Sequence, residues 1–390
     1  MRNNKLFLLL VFIILFIPLF INAEDKKKSE KKEQYVFTME KEIKTTPVKD
    51  QGKTGTCWSF ATTAFIETEL IRMNKGEHIL SPMWNVRFTY LPKAINYVRY
   101  SGLSNFSMGG QAHDVMNIVK EYGFVPEEIY SGRHINEEGY NNGELDDVLK
   151  AIVDAVNKGR KITPVWKEVI ESTLNIYLGE PVKEFSYQGK TYTPKSFAES
   201  LGFNADDYVE ITSYSHHPFY SQFDLEIPDN WTKEKYYNVP MDDLMKIIDN
   251  AVMKGYSVAW DGDVSEKEFE KKKNYAIVPE KEESAEVDKK DDEEKDPEPI
   301  KEKIITQELR QEAFDNHTTT DDHLMQITGI AKDQTGARFY YTKNSWGTKD
   351  KKYAGYWYMS VPYVQLKTIA IMVHKDAVPA EIKTKLGITK

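Results

Sequence analysis

A single cysteine, Cys57, serves a chain of 390 residues. That scarcity excludes any disulfide within the chain and any cysteine-built zinc site. Histidine offers little more: of eight in all, only His216 and His217 are adjacent. With no further histidine clustered near them, a structural or surface pair is expected, and no metal. Phosphate-cradling glycine loops and internal repeats are missing too, and no cofactor is expected. Positive charge is in deficit, with 52 Lys and Arg against 61 Asp and Glu for a net charge of −9. That balance repels a phosphate backbone, so no nucleic-acid partner is expected. Long apolar runs are absent except for Leu6 to Ile21, which Pro18 interrupts.

That run follows Arg2 and Lys5 and leads to Ala23, with Glu24-Asp25 beyond it. A positive start, an apolar stretch slightly short for a membrane span and a small residue at its end predict a cleaved signal peptide over residues 1–23; the alternative is a retained anchor. The protein is therefore expected to be exported, periplasmic or secreted, with no stable membrane insertion after cleavage. Residues 24–45 read as a charged tether, and the folded domain is expected over residues 46–378. A free thiol in an oxidising compartment is a liability unless it has a task, whereas a buried, inert cysteine is common. The residues around Cys57 decide between these readings.

Cys57 lies in Gln51-Gly52-Lys53-Thr54-Gly55-Thr56-Cys57-Trp58-Ser59-Phe60. Phe60, Ala61, Ala64, Phe65 and Ile71 then recur at helical spacing, and Gly55 with the two threonines supplies start signals. The thiol would project from a first helical turn, where the macrodipole and unpaired backbone N–H groups favour the nucleophilic thiolate. The Gln51 amide could donate to an oxyanion forming beside the sulfur. A thiolate needs a proton acceptor, and the acceptor needs an orienting group. The candidates are His323, in Asp321-Asp322-His323-Leu324-Met325, and Asn344, in Lys343-Asn344-Ser345-Trp346-Gly347.

Gln…Cys-Trp-Ser-Phe, then a histidine entering an apolar strand, then Asn-Ser-Trp-Gly, in that order, resembles the papain-like cysteine peptidases. Cys57 and His323 are 323 − 57 = 266 residues apart, against about 130–150 in papain-type chains. Such an insertion is similar to the bleomycin hydrolase/aminopeptidase C branch. So are Gly109-Gly110-Gln111, His217-Pro218-Phe219-Tyr220 and Ser257-Val258-Ala259-Trp260. Thr54 departs from the pattern, standing where the family signature has a second cysteine.

The resemblance implies an α+β, papain-like two-lobed fold: a helical lobe with a central Cys-bearing helix, packed on a β-barrel-like lobe, with a large helical insertion. It implies Cys57 as nucleophile, His323 as base, Asn344 as its orienting group and Gln51 as oxyanion donor. Gly109, Gly110, Ala259, Asp322 and Trp346 would contact substrate, with Trp346 also shielding the His323–Asn344 hydrogen bond. The partner would be a peptide or protein substrate. The activity implied first is that of an aminopeptidase; an endopeptidase of the same chemistry and a non-catalytic papain-fold binding protein are the alternatives. The same resemblance implies a homo-hexamer and a C-terminal tail, residues 379–390, that enters the cleft and meets the substrate's amino terminus with its carboxylate.

The family-specific insertion is expected over residues 131–240, helical at Asp146–Asn157 and Pro164–Leu178, with a hairpin at Tyr187-Gln188-Gly189-Lys190-Thr191-Tyr192. Ser81-Pro82 predicts a helix start. Residues 280–303 hold 12 acidic and 6 basic side chains and read as a solvated, disordered loop. The chain from His323 reads as β over Leu324–Ala331, Ala337–Lys343, Tyr356–Pro362 and Ile369–Val373.

Overall fold

The computed structural model describes residues 33–135, 138–281 and 298–388. The signal-peptide reading, the start of the tether, the middle of the acidic loop and the last two residues of the tail lie outside these. Among the described residues no helix is long and apolar enough to cross a membrane.

One hydrophobic core is built by helices α1 (Cys57–Arg72), α2 (Pro82–Arg99), α3 (Ala112–Tyr122), α4 (Gly143–Asn157), α5 (Trp166–Leu178) and α6 (Pro194–Ser200). Helix α1 is buried from Trp58 to Leu70 on every side, which makes it a central helix rather than an amphipathic surface one. Of its two buried carboxylates, Glu67 and Glu69, the first links the helix to its surroundings. It accepts the Leu80 N–H at 2.7 Å and the Thr46 hydroxyl, and pairs with Lys49 Nζ at 3.0 Å. Lys343 in turn donates to the Thr46 carbonyl at 2.7 Å. Ser81 caps α2 by accepting the Trp84 N–H at 3.1 Å, with Pro82 at the first helical position.

The second core lies on a mixed sheet. Its strands are β1 (Thr38–Glu42), β4 (Tyr208–Thr212), β5 (Gln222–Asp224), β6 (Lys235–Asn238), β7 (Val258–Gly262), β8 (Phe269–Glu270), β9 (Tyr275–Ala276), β10 (His323–Lys332), β11 (Arg338–Lys343), β12 (Tyr356–Ser360) and β13 (Thr368–His374). The order is β5-β6-β4-β13-β7-β10-β11-β12-β9-β8, with β1 added to β10; β2 (Phe185–Tyr187) and β3 (Lys190–Tyr192) form a separate hairpin. Its turn residues Gln188 and Gly189 both have positive φ, at 49° and 76°, as a two-residue hairpin turn requires. Strand β10 joins the lobes. Leu324 enters the helical core, while Met325, Ile327 and Ile330 enter the second core with helix α7 (Met241–Met253). Gln326 ties β10 to α1 by donating to Thr68 Oγ1 at 2.8 Å.

Four expectations need correction. The tether over 24–45 contains β1, antiparallel to β10. Phe37 stacks on Tyr358 with ring centroids 3.9 Å apart, and Tyr35 is 3% exposed. The insertion over 131–240 is helical only as far as α6; its last third supplies β4, β5 and β6 to one end of the sheet. The predicted strand over Tyr356–Pro362 ends at Ser360, which accepts the Tyr363 N–H at 3.1 Å and caps helix α9 (Val361–Lys367) with proline near its start. The tail also differs. Helix α10 (Ala380–Leu386) buries Ile382 and Leu386 in the second core beside α7, and Ile388 packs there too. The described tail, as far as Ile388, is thus folded onto the second core.

The acidic stretch 280–303 is docked at its end. Glu280 N–H donates to the Lys301 carbonyl at 2.8 Å, Ile300 N–H to the Tyr35 hydroxyl at 3.0 Å, and Glu302 accepts the Val278 N–H at 2.8 Å. Burial pushes Glu302 up to about 7, although hydrogen bonds from Ser360 and Val278 oppose it. The unfolded carboxyl ionises near pH 4, so the unfolded chain sheds this proton first and stability falls as pH rises from about 4 to about 7. Glu302→Gln should flatten that slope in thermal melts between pH 5 and pH 8. A slope identical to wild type would contradict the assignment.

Candidate active site

His323 opens β10 opposite Gly262 of β7 and is 4% exposed. Its Nε2 lies 2.8 Å from Asn344 Oδ1. An amide oxygen only accepts, so Nε2 carries the hydrogen and Nδ1 is left as the basic nitrogen. Asn344 Oδ1 also accepts the Ser345 N–H at 2.7 Å, which fixes the amide's orientation. Trp346 lies over the imidazole, ring centroids 4.6 Å apart at 34°, and itself packs edge-on against Trp357. It therefore covers the His323 ring.

Gln51 is joined to this arrangement through Ser345, a residue the sequence did not single out. The Ser345 hydroxyl donates to Gln51 Oε1 at 2.5 Å, and the Gln51 N–H donates to the Ser345 carbonyl at 2.8 Å. Gln51 Nε2 uses one hydrogen on the Thr54 carbonyl, at 2.8 Å. Its second hydrogen remains for an acceptor in the cleft.

Cys57 is the first residue of α1 and is partly exposed. Thr56 makes no side-chain cap; its hydroxyl lies 2.5 Å from that of Thr54. The Leu324 backbone N–H, in the residue after His323, acts on the thiol and favours its ionised form. Enclosure by protein pushes the thiol up to about 12; the Leu324 amide opposes this, and the charges of Asp321, Asp261 and Asp229 add to it. Burial pulls His323 down to about 4, against the Asn344 hydrogen bond and with the help of Lys271. Both shifts weigh against the expected thiolate. A helix start offers at most about 2 kcal/mol to an anion, and here enclosure and three carboxyl groups outweigh it.

The expected substrate contacts are distributed unevenly. The face of Gly109 is occupied by this chain itself: an added Cβ would meet Asp229 Oδ2 at 2.0 Å. At Gly110 it would meet Asp114 Oδ2 and Trp58, both at 2.9 Å. Ala259 faces the helical core with Leu324. Asp322 is turned away, accepting the Val264 N–H at 3.2 Å with Asp263 and Lys367 near it. Its neighbour Asp321 takes the cleft position instead, accepting from Gln111 Nε2 at 3.0 Å. Asp321, Asp261 and Asp229 went unnoticed in sequence because they come from three distant segments with no motif linking them.

His216 and His217 gain a third group that sequence spacing hid. Their Nε2 atoms lie 3.1 and 2.8 Å from the two oxygens of Glu226. The three ligand atoms fall within 4.8 Å of one another, so the premise of an isolated pair does not hold. As folded, the carboxylate satisfies both imidazoles.

The Peptidase C1-like family model matches residues 96–389, and the papain family cysteine protease model matches residues 34–86. Aminopeptidase G of Lactobacillus delbrueckii subsp. lactis is 22% identical over 402 aligned positions, covering 89% of this chain and 85% of that protein. Aminopeptidase C of Lactococcus lactis subsp. lactis (strain IL1403) is 23% identical over 378 positions, covering 86% and 82%. The crystal structure of PepW from Lactobacillus rhamnosis HN001 matches with a TM-score of 0.69 at 18% identity, covering 90% of this chain and 84% of that one.

Proposed function

Because this chain belongs to the Peptidase C1-like family and is a papain-like cysteine peptidase, we propose that Cys57, His323, Asn344 and Gln51 carry its chemistry and that it acts as an aminopeptidase. The observation that carries the chemical part is the 2.8 Å contact from His323 Nε2 to Asn344 Oδ1, which leaves Nδ1 free for the Cys57 proton. As the substrate carbonyl comes into place, Nδ1 takes that proton and the sulfur attacks the carbonyl carbon. The oxyanion is met by the Cys57 backbone N–H and the unused Gln51 amide hydrogen. The imidazolium then protonates the leaving amine, and a thioester remains. Water, giving its proton to Nδ1, attacks the thioester; the acid product departs and the thiol is restored.

The aminopeptidase part is supported by the names of relatives that align along most of the chain. The described part of the tail packs onto the second core through Ile382, Leu386 and Ile388. Removing Gly387–Lys390 should therefore leave the ratio of free-amine to N-blocked turnover unchanged. A shift of that ratio toward blocked substrates would show that the tail gates the cleft after all. Gln51→Ala should lower kcat by about 10²–10³, the usual loss for one oxyanion donor, with little change in KM. An unchanged kcat would remove Gln51 from the mechanism.

A further inference from the structure

The loop from β4 to β5 brings two imidazoles against a carboxylate that lies just past β5. His216 Nε2 stands 3.1 Å from one Glu226 oxygen and His217 Nε2 stands 2.8 Å from the other. The three ligand atoms fall within 4.8 Å of one another. Bonds of about 2.0–2.1 Å place the ligand atoms of a tetrahedral zinc about 3.3 Å apart. The two nitrogen–oxygen separations therefore need to widen by only about half an ångström to admit the cation. All three side chains are reachable from solvent, with exposures of 30%, 35% and 55%.

Both ligand segments are held by buried asparagines. Asn238, fully buried, donates to the Tyr214 carbonyl at 2.8 Å and to the His217 carbonyl at 3.0 Å, and accepts the Tyr214 N–H at 2.9 Å. Asn230 donates to the Leu225 carbonyl at 3.1 Å, next to Glu226. The rings are fixed as well: His217 stacks on Phe223 with centroids 4.2 Å apart, and His216 meets the same ring edge-on. Gln311 of helix α8 (Gln307–Asp315) serves either tautomer of His216, because its amide nitrogen lies 3.1 Å from Nδ1 and its oxygen 3.4 Å. With a cation on Nε2, Nδ1 carries the hydrogen and the Gln311 oxygen accepts it. That is the outer partner a metal-bound imidazole needs. The Gln311 amide is itself set by the Ser215 N–H at 2.6 Å and by Asp315 at 2.8 Å.

We propose that His216, His217 and Glu226 bind a zinc-class divalent cation through the two Nε2 atoms and the carboxylate, with water completing the shell. Two imidazoles and one carboxylate suit zinc and its late first-row neighbours, whereas magnesium and calcium prefer oxygen ligands. The bound cation would crosslink the β4–β5 loop to the segment after β5, so its effect is on the stability of this end of the sheet. The site lies outside the Cys57–His323 arrangement and does not rest on the peptidase reading.

The test uses the full chain as Cys57→Ser, so that zinc cannot bind at the catalytic thiol. Zinc affinity is read by competition with a chromophoric chelator, and stability by thermal melting with zinc, magnesium or calcium. We expect one zinc per chain and a melting temperature raised by zinc alone. Gln311→Ala should weaken zinc about tenfold, the loss usual for an outer partner, and His216→Ala, His217→Ala and Glu226→Ala should each weaken it by more than about 100-fold. Each ligand variant should also lose the zinc-induced rise in melting temperature. Should an alanine variant fail to fold, Glu226→Gln, close in shape and still an acceptor, takes its place and should melt normally without responding to zinc. No zinc bound, zinc bound equally well by the ligand variants, or an equal rise with magnesium would overturn the site.

Discussion

Cys57→Ser should abolish peptide hydrolysis while leaving the fold unchanged. The thiol is the only one in the chain and stands at the head of a helix buried on all sides. A hydroxyl is close in size to the thiol and can meet the Leu324 amide that acts on it. Serine is nevertheless a far poorer donor of its proton to His323, whose basicity burial has reduced. In comparable nucleophile–histidine systems, loss of the nucleophile costs about 10⁶ in kcat. Iodoacetamide labelling should vanish with the activity, and the melting curve should stay within a degree or two of wild type. Near-normal turnover by the serine variant would contradict the nucleophile assignment.

Glu67→Ala should be the most damaging single change outside the site. Its carboxylate is fully buried and holds the Leu80 N–H, the Thr46 hydroxyl and Lys49. Removal leaves Lys49, whose side chain is only 13% exposed, with Glu127 as its remaining ion pair at 3.0 Å. It also strands the Leu80 amide. Breaking a buried pair from one side typically costs about 3–5 kcal/mol. Because Thr46 bridges this network to Lys343, next to Asn344, activity should fall along with stability. Urea denaturation would show it; a loss below about 1 kcal/mol would mean that the network is not structural.

Much of this was legible in the sequence. Cys57, His323, Asn344 and Gln51 each sit in a local motif, and motifs survive long insertions because the chemistry constrains immediate neighbours. The hairpin at Gln188-Gly189 and the cap at Ser81-Pro82 were legible for the same reason, since local turn chemistry sets them. What depends on distant contacts was not. The segment leading into β1 carries an apolar alternation in Tyr35, Phe37 and Met39, but the charges of Glu40, Lys41 and Glu42 concealed it. Its place is set by β10, almost 300 residues on. Asp321 and Asp322 are adjacent, and only the β10 geometry decides that the first meets Gln111 while the second meets Val264. The tail was placed in the cleft by resemblance, whereas Ile382 and Leu386 recur at helical spacing and bury themselves beside α7.

The most direct measurement is a paired assay: kcat/KM for one peptidyl-coumarin sequence with its amino terminus free and with it acetylated, each with and without prior alkylation of Cys57. The free form should be preferred by about 10- to 100-fold, the range expected for charge-assisted recognition of an ammonium, and alkylation should abolish both activities. Equal or faster turnover of the acetylated peptide, equally lost on alkylation, would make the protein an endopeptidase. Turnover that survives alkylation would contradict thiol catalysis itself.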